Sequence, residues 1–218
     1  MWRAAMLVLS GCVVASRAQQ CSATVSSACG AVFRQGLNAT ERTALLDQHN
    51  ALRSRVARGE ESRGQPGPQP AASNMRTLVW DAELARLAQN WANQCVFRHN
   101  LCGGDVGQNL YTMTTTQRGP PDLAAAVNSW YDEVTKFGRQ QVSSYRFETS
   151  TGHYTQVVWA ETHLLGCGYI GYSDTRQHHT LVCNYGPAGN VISRPVYQTG
   201  KTCSACTTCN PRYPALCG

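Results

Sequence analysis

Cysteine and histidine are the side chains through which this 218-residue chain could do covalent or metal chemistry, and it carries eleven of the first and six of the second. Cys203-x-x-Cys206-x-x-Cys209 has the spacing of thiolate ligands to zinc. In an oxidising compartment the same spacing closes into disulfides instead, and the N-terminus points to such a compartment. Arg3 precedes the apolar run Ala4-Ala5-Met6-Leu7-Val8-Leu9 and Val13-Val14-Ala15, and Ser16-Arg17-Ala18 supplies small residues for cleavage. Residues 1–18 therefore read as a signal peptide cut after Ala18, with an apolar run too short and too interrupted by Ser10 and Gly11 to span a bilayer. Its removal takes away Cys12 and leaves ten cysteines, which predicts five disulfides, no free thiol and no cysteine nucleophile. Asn38-Ala39-Thr40 is an acceptor sequon, so Asn38 is a candidate glycosylation site.

Other chemistries find less support. No Gly-x-Ser-x-Gly elbow and no phosphate-cradling glycine loop is present. His178-His179 looks like a metal pair, but neighbours on a strand point to opposite faces, and a solvated turn is the reading adopted. Trp80, Trp91, Trp130 and Trp159 read as core rather than as a base-stacking platform. The formal charge is +6, falling to +4 without Arg3 and Arg17, and only Lys136 and Lys201 are lysines. Without a basic run, no nucleic-acid partner is expected. With 42% hydrophobic and 15% charged residues, the chain suits one or two globular domains.

The elements that must position these residues follow from periodicity. Leu45, Leu46, His49, Leu52 and Val56 share one helical face, and the helix must end near Gly59, before the turn-rich run Gly64 to Pro70. Asp81 caps a second helix whose Leu84, Leu87, Ala88, Trp91, Ala92 and Cys95 form the clearest apolar stripe. Loops and short strands are expected between His99 and Gln117. A third helix starts at Pro120-Pro121-Asp122, with Val127, Trp130, Tyr131 and Val134 buried. Tyr154 to Trp159, Tyr169 to Tyr172 and Thr180 to Cys183 read as strands of an antiparallel meander, with Cys167 and Cys183 placed to staple two of them. Cys203, Cys206, Cys209 and Cys217 crowd into a tail with little apolar content, an appendix that depends on cross-links.

Two long segments carry a family resemblance. Gly152-His153-Tyr154-Thr155-Gln156-Val157-Val158-Trp159-Ala160-Glu161-Thr162 and Leu181-Val182-Cys183-Asn184-Tyr185-Gly186-Pro187-Ala188-Gly189-Asn190 resemble the two signatures of the CAP superfamily of cysteine-rich secretory proteins. The proline-rich loop from Ala57-Arg58-Gly59-Glu60 through Arg63 to Pro70 and Asn74-Met75, with Leu78-Val79-Trp80-Asp81 and Trp91-Ala92-Asn93-Gln94-Cys95, resembles the arthropod venom antigen-five type. The resemblance covers about residues 29 to 199, and the cysteine tail departs from the wasp-type pattern. It implies an α+β fold, a three-layer α-β-α sandwich built on a three-stranded or slightly larger antiparallel sheet, with a short disulfide-rich C-terminal tail. The implied divisions are a signal peptide over 1–18, an N-terminal disulfide-linked segment over 19–39, the CAP domain over 40–199 and the tail over 200–218. It pairs Cys29 with Cys95, Cys21 with Cys102 and Cys167 with Cys183, and leaves the tail cysteines in one of three connectivities.

The resemblance also places four side chains around a cleft: His99, His153, Glu133 and, where the family has glutamate in a Gly-Glu-Asn-Leu motif, Gln108 of Gly107-Gln108-Asn109-Leu110. Two neutral imidazoles, His99 and His153, can hold a divalent metal, but a catalytic zinc ordinarily takes three protein ligands. Glu133 can orient a ligand or act as a base, and Gln108 cannot be a base. Alternatively, the four side chains simply hydrogen-bond one another. The expectation is a secreted, extracellular, monomeric, non-enzymatic binding or effector protein. It needs no cofactor and holds Zn²⁺ only weakly; its expected partners are a fatty acid, a sterol or a host protein receptor. The competing reading is a metal-assisted hydrolase or protease.

Overall fold

The computed structural model describes residues 22–100, 106–116 and 122–218. The leader, Cys21 and Cys102 lie outside them. Asn38 opens helix α1 (Ala39–Ala57): its side chain accepts from the Glu41 amide, and the Glu41 carboxylate accepts from the Asn38 amide in return. Asp81 caps α2 (Ala82–Ala92) and Asp122 caps α3 (Leu123–Tyr131) by the same kind of bond. Strand β1 is Ala31–Gln35, β2 Val79–Trp80, β3 Gly107–Thr115, β4 Leu164–Ser173 and β5 Gln177–Gly186. Among the described residues they form one sheet in the order β1-β4-β5-β3, antiparallel throughout that path. The short β2 runs parallel to the start of β4.

The sheet has helices on both faces because successive strand residues point to opposite sides. Gly166 and Gly168 of β4 face α2, whose backbone lies directly on them: a Cβ on Gly168 would sit 2.3 Å from the Gln89 Cα. Ile170, Val182 and Leu110 join Ala88, Trp91 and Ala92 in that layer. The alternate residues Leu165, Tyr169, Leu181 and Tyr185 face the larger core, shared with α1, α3 and the short helix α4 (Gly152–Val157). The α-β-α sandwich is therefore present.

Several expectations give way. The segment Tyr154 to Trp159 is not a strand: it starts within α4, and Tyr154, Thr155, Gln156 and Val157 are all buried there. β-Branched and aromatic residues fit a strand locally, but here tertiary burial on every side overrides propensity. The stretch before Gln117 contains a nine-residue strand, β3, paired along its whole length with β5. His178 and His179 lie inside β5 rather than in a solvated turn, on opposite faces as adjacent strand residues must. His178 bridges Thr114 and Asp174, and His179 is buried against the Tyr169 hydroxyl at 2.6 Å.

Disulfides join Cys29 to Cys95 and Cys167 to Cys183, the latter directly opposite each other in the β4-β5 ladder. In the tail, Cys203 pairs with Cys209 and Cys206 with Cys217, which removes these thiolates as zinc ligands. Nor is the tail an appendix. Leu216 and Ala215 are in the core, Cys217 pairs with Met75 through the backbone, and Arg212 and Tyr213 both reach Asp47 of α1.

Candidate functional site

The four residues expected at the cleft come from four different elements. Glu133 lies in the 3-10 turn Asp132–Lys136 that continues α3. His153 is the second residue of α4. Gln108 is on β3, opposite Asn184 of β5. His99 lies in the loop beyond α2. The structure joins them as two hydrogen-bonded pairs.

In the first pair, Glu133 Oε1 lies 2.7 Å from His153 Nδ1, while Oε2 accepts from the backbone amides of His153 at 2.9 Å and Tyr154 at 3.2 Å. A carboxylate is acceptor-only, so Nδ1 carries the proton and Nε2 keeps its lone pair. The Trp130 ring stacks on the imidazole, 17° from parallel, and Trp130 Nε1 is tied to the Leu110 carbonyl of β3.

In the second pair, the Gln108 carboxamide donates to Asn184 Oδ1 at 3.0 Å, and its oxygen accepts from the Asn100 amide at 3.2 Å and faces His99 Nδ1 at 3.3 Å. Asn184 spends its own amide on the Leu84 carbonyl, so its oxygen is what meets residue 108. A carboxylate there would face that oxygen. The neutral amide suits its neighbours, and it again leaves His99 with a free Nε2. His99 is exposed, whereas Glu133 and His153 are partly buried.

Supports for this arrangement include residues that the sequence analysis did not single out for the site. Asn109 donates to the His153 carbonyl and to the Tyr185 hydroxyl, both at 3.2 Å. That hydroxyl lies 2.9 Å from His49 Nε2, and His49 Nδ1 lies 2.7 Å from the Leu45 carbonyl. The carbonyl requires a proton on Nδ1, so Tyr185 donates to Nε2 and a buried polar chain runs from the cleft to α1. Burial is the main cause that pushes the His49 imidazole down to about 4, with the Arg53 charge adding to it, so it is neutral at pH 7. Gly107 lets β3 approach α4: a Cβ there would meet Gln156 Oε1 at 1.9 Å. The only signal for Asn109 was its place beside Gln108, and the periodicity of α1 marked His49 as buried without indicating its partner.

Chemically, each histidine of the cleft offers one ring nitrogen to a divalent ion, with Glu133 and Gln108 behind them in the orienting position that carboxylates and amides take around metal-bound imidazoles. No hydrogen bond links the two pairs among the described residues, and two imidazoles alone fall short of the three protein ligands usual for a bound zinc. Among the described residues, no three His, Cys, Asp or Glu side chains converge to hold one.

Comparison with known proteins shows the family and the fold. Residues 46–185 match the family model described as the cysteine-rich secretory protein family, well over half of the chain. The chain is 46% identical over 171 residues to a venom allergen 5 of Microctonus hyperodae, covering 75% of this chain and 73% of that one. It is also 46% identical over 172 residues to a venom allergen 5 of Vespa velutina, covering 77% and 84%. Among solved structures it resembles one described as NaASP2 with Zn²⁺, at a TM-score of 0.73 and 34% identity, over 87% of this chain and all of that one.

Proposed function

The chain belongs to the cysteine-rich secretory protein family, and from that premise we propose that it is a secreted, non-enzymatic binding or effector protein of the venom-allergen type. The observation that carries this reading is the state of Glu133. Its carboxylate is taken up by three hydrogen bonds from α4, and the second family carboxylate is replaced by Gln108. A hydrolase of this design needs a base within reach of a metal-bound water. Here the carboxylate serves as a brace between α3 and α4. Leader, disulfides and relatives all support an extracellular location.

The cleft's second property in this reading is weak Zn²⁺ binding through His99 and His153 Nε2. Zinc should be lost as these imidazoles protonate, and the likeness to a solved relative described with Zn²⁺ supports it. Calorimetry on the wild type, His153→Ala and Gln108→Glu tests it. Loss in the first variant and tightening in the second are expected; equal affinity in all three would place any zinc elsewhere. Casein incubation with zinc and with chelator addresses function directly. Zinc-dependent cleavage abolished by His153→Ala would overturn the non-enzymatic reading in favour of a metal-assisted protease.

An apolar ligand, a fatty acid or a sterol, also belongs to this reading. The helices 39–57 and 82–92 pack on opposite faces of the sheet and do not form a groove together, so the seam where α1 packs on α3 is the groove proposed for it. Delipidated protein titrated with a fluorescent fatty acid and a fluorescent sterol is expected to saturate with one of them below about 10 μM. Failure of both would leave a protein receptor as the partner.

A further inference from the structure

A cavity of about 390 Å³ lies away from the four-residue cleft, where the segment after β5 folds back over the end of the first signature. Trp159, Tyr197, Ala188, Val191 and Pro195 give it an apolar lining, and Arg194 and Glu161 supply its charges. The two charges are not equivalent. Glu161 already accepts from the Asn74 side-chain amide at 3.3 Å, whereas the Arg194 guanidinium has no hydrogen-bond or ion-pair partner among the described residues. Glu161 keeps an unpaired negative charge of its own, so what distinguishes Arg194 is a guanidinium whose donors are all uncommitted among the described residues.

The walls are held independently of any ligand. Arg53, fully buried in α1, gives its guanidinium entirely to backbone carbonyls, among them Trp159 at 2.8 Å and Thr162 at 3.0 Å. The Ala160 amide bonds the Val196 carbonyl at 2.8 Å, which joins the two sides of the cavity. Backbone bonds between Tyr145 and both Ser193 and Arg194 fix the segment that carries the guanidinium. Gly189 lies so close on the Trp159 ring that a Cβ would approach Cγ to 2.8 Å. A pocket already formed before binding spends little on ordering.

We propose that this cavity binds a small aromatic or short-chain organic acid, its flat apolar body against the Trp159, Val191 and Pro195 side and its carboxylate on Arg194. The volume is at the lower end of the 300–1,000 Å³ usual for ligand pockets, which suits a compact acid and not a long acyl chain. Guanidinium is the side chain whose fork matches a carboxylate in both charge and shape.

The full-length secreted protein is titrated by calorimetry, with tryptophan fluorescence in parallel, using indole-3-acetate, tryptamine and hexadecanoate as probes. Saturable binding of indole-3-acetate is expected below about 1 mM, with tryptamine and hexadecanoate at least about tenfold weaker at this site. Arg194→Gln is expected to weaken indole-3-acetate by at least about tenfold, and Ala188→Phe to abolish it by filling the cavity. Circular dichroism and thermal midpoints confirm that both variants fold, and Arg86→Gln, on the exposed side of α2, serves as a control that leaves the affinity unchanged. No saturable binding to the wild type, equal binding by folded Arg194→Gln, or tryptamine binding as tightly as the acid would each overturn the proposal. It depends neither on the metal reading of the cleft nor on the lipid reading between helices, so any of the three can fail without the others.

Discussion

At the scale of single residues, the buried polar groups of this molecule carry more consequence than its charged surface. His49 shows it best: buried and neutral, it accepts from Tyr185 and donates to Leu45. Its ring titrates near 4 in the fold and near 6.5 when unfolded. The unfolded chain therefore takes up a proton first as pH falls, and stability that is complete above pH 6.5 should decline by on the order of 3 kcal/mol on the way to pH 4. Urea unfolding at pH 7.5, 5.5 and 4 should show this slope, and His49→Gln should flatten it. Glu61 is a depressed carboxylate. Burial pushes it up, but the hydrogen bonds from Arg63 and Tyr131 and the Arg63 charge outweigh that and hold it at about 2. Its contribution is present above about pH 4.5 and is lost as pH falls towards 2. Glu61→Gln should cost about 2 kcal/mol at neutral pH by leaving Arg63 and Tyr131 under-satisfied. The difference from wild type should close across that acid window.

At the scale of elements, the cap of α1 and the sequon compete for one residue. Asn38 uses its oxygen to hold the first turn of the helix, and it is exposed. Removing the cap should cost about 1 kcal/mol, whereas removing only the sequon should not. Asn38→Asp and Thr40→Ala should therefore both eliminate any glycan at near-wild-type stability, and Asn38→Ala should eliminate it with the loss. Intact mass and thermal denaturation of the three variants separate the two effects. The helix α4 depends on its neighbours more than on its sequence. The Asn190 side chain bonds the Gly152 carbonyl and the Thr155 hydroxyl, and Glu133 takes the amides of its first turn. Six residues cannot sustain a helix alone.

At the scale of the whole molecule, the tail closes the fold. Cys217 lies against Met75 and Thr77, and Leu216 is fully buried with Met75 and Leu45 in the same core. The Cys206–Cys217 bridge closes a loop of 11 residues, for which chain entropy gives about 3 kcal/mol. The paired substitution Cys206→Ser with Cys217→Ser should lower the unfolding free energy by that amount in denaturant titrations. A wild-type value would mean that the tail's packing holds it without the cross-link. Loss of Arg53 would act over a similar span, because one guanidinium ties α1 to Arg76, Val157, Trp159 and Thr162 at once.

What the sequence determined by itself is whatever repeats locally. The apolar stripes of α2 and α3 lie where period 3.6 placed them, Asp81 caps α2 as its type predicts, and the β4-β5 hairpin follows from its β-branched run. On α1 only Leu45, His49 and Val56 of the expected face are fully buried, beside the polar Asn50, Arg53 and Ser54. The two signature segments carried the family. Only the tertiary structure decided what each of these residues touches. It turned the strand-like Tyr154 to Val157 into a buried helix, and it paired Cys203 with Cys209 rather than with a nearer neighbour. It also committed Glu133 to α4 amides 20 and 21 residues away, and lodged Arg53 among carbonyls more than 100 residues distant. Periodicity reports which face of an element is buried, but a hydrogen bond between distant segments depends on how the layers meet. That meeting is set by close approaches such as those at Gly107 and Gly168, which no local pattern encodes.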